Sequence, residues 1–587
     1  MVMLHEQSAA TLRLRRGPSS TRVYARLAFK LEFPLIKTRL SLVASTTAVL
    51  AISLSASAQS VITGPSSSAS PYVRPFNNYP VDVVSILTVG DTVNNKPNGA
   101  PYYLVGIPDG MGAYMNQDGT MTLLVAHELA TNNGGGIPRA HHPAGFSNGA
   151  FTSQWKINVD SGPNFLRVLN GEDMMNSLQT VTNGSGGSLY TIQRFCSADL
   201  AEVSGLFNPA TGLGTTERIF LSGEEASGPG RVIGTGINER IGVELLPFNT
   251  LVGAWENICV RPLASDKTIV VALSDGNANR VFVYEGTKQS TGSIMDKAGL
   301  TNGIGYGVQV QVNGTSIASE SRELCFNSAG KPRFSGTFTL VPGNAGTSFL
   351  RPEDGAWDPA NPADFYFVTT DRIHTIGYGG TQLGSSRLFR MRFNDINNVL
   401  AGGTIEALLD GTDVMNMGDN LTVYNDLQGG TRVLLSEDPG NSPQNAKTLL
   451  YTVATDTLDI VLESDRARFG DWGGVAATAP FNQDEENSGV IDAREMLGLG
   501  WFIQNMQAHY GITGELVQGG QLYAFYCPAC VGSSMADLSP TLDGVVDSAD
   551  LGILLSNWGN AGRSDINRDG TTDSADLGAL LSAWNGN

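Results

Sequence analysis

Seven short stretches of this chain set an acidic or thiol side chain beside turn residues, most of them just after an apolar, strand-like run. They are His127-Glu128 after TLLVA, Cys196 in RFCSADL, Gly223-Glu224-Glu225 after RIFLS, Arg351-Pro352-Glu353-Asp354-Gly355, Gly418-Asp419-Asn420-Leu421, Ser436-Glu437-Asp438 after TRVLL, and the run from Asp484 through Glu485 and Glu486 to Gly489. A single carboxylate after a strand is ordinarily a solvated turn. Several that converge repel one another and hold their protons unless cations neutralise them. Carboxylate oxygens suit hard calcium, and a thiolate suits iron. Cys196 is thus either a metal ligand or a buried, inert thiol. Arg139 and Arg351 lie near these motifs. There a guanidinium either clamps an oxyanion bidentately or forms a structural ion pair.

A second acidic pattern closes the chain. Asp543–Gly559 and Asp569–Asn585 are identical at 12 of 17 positions, at an offset of 26 residues. In the second copy Asp565, Asn567, Asp569, Asp573 and Asp576 fall at loop positions 1, 3, 5, 9 and 12, with Gly570 at 6 and the Thr571 carbonyl at 7. That is the spacing of a 12-residue loop that wraps calcium with oxygens and turns sharply at glycine. The first copy keeps Asp543, Gly544, Asp547 and Asp550 but begins irregularly, and Asp537 serves only if that loop is two residues longer. Its site is expected to be weaker. Each loop leads into an amphipathic helix, with Leu551, Leu554, Leu555 and Trp558 or their counterparts Leu577, Leu580, Leu581 and Trp584. Two copies can bury those faces against each other.

These side chains need a frame, and the frame reads as β. From about residue 80 to 525 short apolar runs alternate with turn signals. Lys267–Leu273, then Asp275-Gly276-Asn277, then Arg280–Tyr284 reads as a hairpin. Thr122–Val125, Gly307–Val312, Phe365–Thr369, Leu388–Phe393, Thr431–Leu435 and Leu449–Val453 are similar pieces. Glycine is 70 of 587 residues and charged residues only 16%, which suits a turn-rich, all-β exported protein. Many short strands over this length point to a β-propeller or a double sandwich. In a propeller, positions just after strands line the mouth of the central channel.

The motifs VAHELATNNGG, RFCSADL with LSGEE, RPEDGAWDP, DNLTVYN with SEDPG, and DEENSGVID with GWFIQNMQAH, in this order, resemble the PhoX-type alkaline phosphatase family over roughly Asn94–Tyr526. The resemblance implies an exported six-bladed propeller that hydrolyses phosphomonoesters with calcium and ferric iron (Fe3+) in its channel. By motif position Cys196, Glu225, Glu353 and Glu437 carry the cluster. Glu128, Glu224, Asp419, Asn420 and the run from Asp484 through Glu485 to Glu486 are further metal-shell candidates, and Arg139 and Arg351 are the phosphate-binding ones. The chain departs from the family at Ala126, Gly223 and Ser436, which marks a divergent branch. Other readings are a non-catalytic binding propeller and a calcium-only propeller hydrolase, phytase-like or lactonase-like. The C-terminal repeat resembles a type I dockerin, which implies a cohesin-domain partner.

The first 58 residues hold eight basic and two acidic side chains, a charge of +6 that leaves −25 for the rest. Lys37 and Arg39 precede an apolar stretch, Leu40–Leu54, which ends at Ala56-Ser57-Ala58. This is the pattern of a cleaved secretory signal. Arg15-Arg16 lies too far from the apolar stretch for a twin-arginine signal. The division expected is therefore signal 1–58, β body 59–526, linker 527–536 and calcium repeat 537–587. No other run of about 18 apolar residues is present, so the mature chain is expected to lack a membrane span. The expected location is periplasmic, cell-surface or extracellular, as a monomer. The acidic balance argues against nucleic acid. Of five cysteines, Cys527 and Cys530 are expected to form a local disulfide, with Cys259 and Cys325 structural.

Overall fold

The computed structural model describes residues 61–184, 187–276, 278–320, 335–370, 386–411, 413–439, 444–471, 474–560 and 562–586. The signal-like segment and Cys325 lie outside them.

The expected strand pieces all fall in strands, give or take one terminal residue. The hairpin is present, with Lys267–Gly276 antiparallel to Arg280–Thr287 and Val271 opposite Val283. Its run is buried on both faces, because sheets cover it on either side. Four sheets of four or five strands begin at Pro108–Met115, Phe195–Ala201, Gly418–Asn425 and Glu485–Asp492. A ten-stranded sheet begins at Ala254–Val260 and ends at Pro352–Trp357. Its two antiparallel meanders are joined through Ser335–Pro342. The first strands touch in order: Pro108–Met115 against Phe195–Ala201, then Ala254–Val260, Pro352–Trp357, Gly418–Asn425, Glu485–Asp492, and back to Pro108–Met115. The arrangement is all-β and propeller-like.

Neighbouring sheets, and the two meanders of the ten-stranded sheet, each share an apolar core, which is why the strands carry few polar faces. Leu124, Phe195 and Phe220 fill one such interface, Leu221, Trp255 and Phe282 the next, and Val271, Phe367 and Phe389 a third. Burying one such side chain contributes about 1.5–3 kcal/mol. Two sheets are completed by N-terminal strands. Asp82–Thr88 pairs with Gln518–Tyr526, with Asp82 opposite Tyr526, and Val73–Pro75 pairs with Thr457–Ser464.

Cys527 and Cys530 form a disulfide, and Cys259 is a buried free thiol whose Sγ lies 2.9 Å from the Gly355 carbonyl. Beyond them lie two short helices, Ser548–Ser556 and Ser574–Ser582. Each opens on a capping box, Asp547 with Asp550 and Asp573 with Asp576. Leu554 and Leu580 are buried between them with Leu538 and Val546. The expected burial of the whole apolar face is only partial, since Leu555, Trp558, Leu581 and Trp584 stay 37–53% exposed. Helices of nine residues present too short a shared face to cover every apolar position. Among the described residues, no helix is long and apolar enough to cross a membrane.

Candidate metal centre

The inner strands share a local irregularity. Against its second strand, each slips register by one residue at the same level: between Pro108 and Met111, Phe195 and Ala198, Trp255 and Ile258, Pro352 and Gly355, Gly418 and Leu421, and Asn487 and Val490. A bulge re-aims side chains and stops regular pairing. The first bulged residue is Asp109, Cys196, Glu256, Glu353, Asp419 or Ser488. Packing is tight at this level: a Cβ on Gly110 would lie 2.0 Å from the Ala198 nitrogen.

On each second strand the residue one past the last partner before the slip joins the same belt: Glu128, Glu225, Asp275, Thr370, Asp438 and Gln507, by register. Potential ligand atoms lie within 4.8 Å of one another in three overlapping sets: Asp109, Glu128 and Cys196; Cys196, Glu225 and Glu256; Glu256, Asp275 and Glu353. Cys196 and Glu256 each belong to two. The Cys196 thiol donates to Glu225 Oε2 at 3.2 Å. Gln507 Nε2 donates to Glu128 Oε2 at 3.2 Å and to Glu486 Oε1 at 3.1 Å, tying the last sheet to the first.

Burial dominates the electrostatics. It pushes Glu128 up to about 7, helped by Glu486 and Glu225. It holds Asp109, Glu256, Glu353 and Asp419 well above the carboxylate range, each raised further by its acidic neighbours. The Cys196 thiol is likewise raised, by burial and then by Glu128, Glu256 and Glu225. Two arginines stand at the edge. Arg194 pairs with Glu225 and reaches Glu128 at 3.5 Å, and Arg351 bridges Asp275 at 2.9 Å and Glu353 at 3.0 Å. Both have positive φ, and both precede a belt residue by two positions. They are 37% and 44% exposed at the side chain, so their outer faces meet solvent.

The structure therefore brings together Glu128, Cys196, Glu225, Glu353 and Arg351 from the sequence reading, with Asp419 beside Glu486, Glu353 and Asp109. Asn420 donates to Ser197 and, at 3.2 Å, to Asp109 Oδ1. Other residues fall elsewhere. Glu224 is fully buried against Arg231, Nε to Oε2 at 2.9 Å and Nη2 to Oε1 at 3.0 Å. Glu437 occupies the register position of Glu224, accepting from the Asn416 amide at 2.7 Å with Lys447 at 3.6 Å. Its neighbour Asp438 is the one whose charge raises Asp419. Glu485 accepts from the Ala446 amide at 3.2 Å, whereas Glu486 reaches the belt by accepting from the belt residues Ser488 and, at 3.1 Å, Gln507. Arg139 stacks 3.7 Å over Phe151 and pairs with Glu515 at 3.2 Å and Asp173 at 3.6 Å.

Sequence reasoning missed Asp109, Glu256, Asp275 and Arg194. Asp275 passed as turn chemistry. A carboxylate inside an otherwise apolar inner strand, as in WENICV, was the available signal for Glu256.

In the C-terminal loops, Asp565 Oδ2 accepts from the Gly570 amide at 2.8 Å and Asp576 Oδ1 from the Asn567 amide at 2.9 Å. Thr571 N donates to Asp569 at 3.1 Å, and the Asp573 carboxylate caps its helix through Ala575. The first loop repeats this layout two residues longer. Asp537 Oδ2 accepts from Gly544 at 2.9 Å, Asp550 Oδ1 from Leu538 at 2.7 Å, and Asp543 from Val545 at 2.9 Å. Asp547 caps its helix through Ala549. Asp537 Oδ1 is buried without a hydrogen-bond partner, as suits a cation ligand.

No family model and no curated protein matches the chain. Among solved structures it is similar to Pseudomonas fluorescens PhoX in complex with vanadate, a transition-state analogue, at 10% identity over 78% of this chain and 96% of that one, with a TM-score of 0.47. It is also similar to a protein of unknown function from Dyadobacter fermentans, at 6% identity over 76% and 99% with a TM-score of 0.32. A third is the Dos1 propeller, at 8% identity over 72% and 69% with a TM-score of 0.29. With every score below 0.5, the propeller-like description rests on the strand pairing above.

Proposed function

We propose that this chain is an exported, metal-dependent phosphatase acting on phosphomonoesters, built as a six-bladed propeller in which the ten-stranded sheet counts as two blades. The observation that carries the reading is the shared position of Cys196, within 4.8 Å of two carboxylate pairs from three adjoining sheets. Hard oxygens around one soft sulfur fit a mixed set of calcium and iron ions. Asp109, Glu128, Glu225, Glu256, Asp275 and Glu353 would hold them with Cys196, and bound there the ions would polarise phosphoryl oxygens and activate water.

The chain's own residues do the rest. A belt of bare carboxylates repels a phosphate dianion, so charge at the rim decides entry. Arg194 and Arg351 stand there, each paired with two carboxylates yet part-exposed, so that each would have N–H capacity left to draw in a phosphoryl oxygen. Buried strand ends fix the ligands and keep their reorganisation small. Residues 1–58 serve as the export signal, and the C-terminal pair of loops binds calcium and ties the enzyme to a cohesin-domain partner.

Metal analysis of the purified mature chain, with turnover of a generic aryl phosphate, tests the reading. Iron with calcium, and hydrolysis lost on chelation, is expected. Calcium without iron would point to a calcium-only hydrolase. No turnover of any phosphate ester would leave a binding propeller.

A further inference from the structure

Past the belt, along the inner strands, the channel encloses a cavity of about 90 Å³. All the inner strands contribute to its wall, and its polar side chains include Ser197, Asp199, Asn257, Asp354 and Asn420. These are mostly the second residues of the bulges, which the register slip turns away from the belt. No lysine, arginine or histidine is among its described lining residues, although two carboxylates are.

The oxygens of this wall are held in place. Asp354 Oδ1 accepts from the Asn257 amide and from the Gly355 backbone at 2.6 Å, and its Oδ2 from the Leu421 backbone at 2.9 Å. Asn420 spends its NH2 on Ser197 and Asp109. That leaves Asn420 Oδ1 on a side chain 1% exposed, with no donor. A buried acceptor without a donor is costly and calls for a partner. Burial pushes Asp199 up to about 7, the direction expected of a carboxyl with no cationic side chain beside it.

We infer that this cavity binds one hard divalent cation of the calcium class, through Asp199, Asp354 and Asn420 Oδ1, with water completing its shell. Calcium accepts six to eight oxygens in flexible geometry, so three protein donors and several waters suffice. The donors are all oxygen, which separates this site from the thiol-containing belt. Two carboxylates and one divalent ion also leave the cavity neutral.

The test is calcium binding to the full chain. Protein stripped with a chelator is titrated with calcium alone, and ions bound per chain are counted by equilibrium dialysis. Wild type is compared with Asp199→Asn, Asp199→Ser and Asn420→Ala, and circular dichroism confirms folding. Each Asp199 variant is expected to bind one calcium fewer than wild type. Asn420→Ala should bind that ion about tenfold more weakly. Unchanged counts in both Asp199 variants, or in whichever folds, overturn the inference. A gain in chelator-stripped stability with no lost ion overturns it too, because the carboxyl was then simply protonated. The outcome does not depend on the phosphatase reading, since a chain inert towards phosphate esters would still lose the ion.

Discussion

Glu224 and Glu225 are adjacent, both poorly accessible, and should respond oppositely to the same change. Glu224 makes a two-pronged contact with Arg231 and also accepts from the Gln193 amide at 2.8 Å. Glu224→Gln would strand a buried guanidinium that is 1% exposed. Breaking a buried pair in this way costs about 3–5 kcal/mol. Metal content should hold in whatever fraction remains folded. Glu225 sits in the belt among like charges, with burial raising its carboxyl and Arg194 partly offsetting that. Glu225→Gln removes a repelling charge and one ion pair together, so stability in chelator should change by less than about 1 kcal/mol. Metal content should fall. Thermal unfolding in chelator, with elemental analysis of each variant as purified, reads both effects. Metals kept in Glu225→Gln, together with metals lost from Glu224→Gln at unchanged stability, would refute this assignment.

Further outcomes follow from the same geometry. Cys196→Ser should remove iron, its absorbance band and phosphatase turnover, whereas Cys259→Ser should cost about 1 kcal/mol through its lost contact with Gly355 and leave metals alone; unchanged iron in Cys196→Ser sinks the cluster. Asp537→Ala and Asp565→Ala should each weaken one calcium-binding event about tenfold in a titration, and silence from Asp537→Ala would mean that the longer first loop binds nothing. His141 is held neutral, lowered to about 3 by burial and then by His142 and Arg139. The unfolded chain therefore takes up its proton first as pH falls below about 6.5, so stability is full above that and declines towards about 3. At pH 5 the loss due to His141 should be about 2 kcal/mol. His141→Gln, compared with wild type by denaturant unfolding at pH 7 and pH 5, should show a correspondingly smaller decline; equal declines would contradict it.

Much of the frame was legible because apolar runs such as Lys267–Leu273 and turn residues such as Asp275-Gly276 are local signals. Belt membership was less so. It depends on a bulge, and a bulge is a relation between two strands rather than a property of either. Side chains alternate faces along a strand, so a one-residue uncertainty exchanges a channel position for a buried one. That is how Glu437 was chosen over its neighbour Asp438, and why Glu224, the buried partner of Arg231, was grouped with Glu225. Asp109 and Glu256 precede rather than follow a second strand, so a search after strands passed over them. Cys196 stood out because a thiol among acidic motifs is chemically distinct wherever it falls. Arg139 shows the reverse: proximity in sequence to a motif placed it near the belt, while its Phe151 stack and acidic partners hold it elsewhere.

The C-terminal unit touches the β body at a telling point. Arg568, in the second loop, pairs with Asp82, and Arg563 Nη2 donates to the Tyr526 hydroxyl at 2.5 Å. Asp82 and Tyr526 are the two residues opposite each other where the first long strand meets the last. Whatever grips the terminal helices therefore pulls on both sides of the join at once rather than peeling one strand from its neighbour. A pull shared by both members of that terminal pair moves the two strand ends together and puts little opening force on the hydrogen bonds between them. The same two arginines would set where a stretched molecule yields first: in the short loops, before the ring.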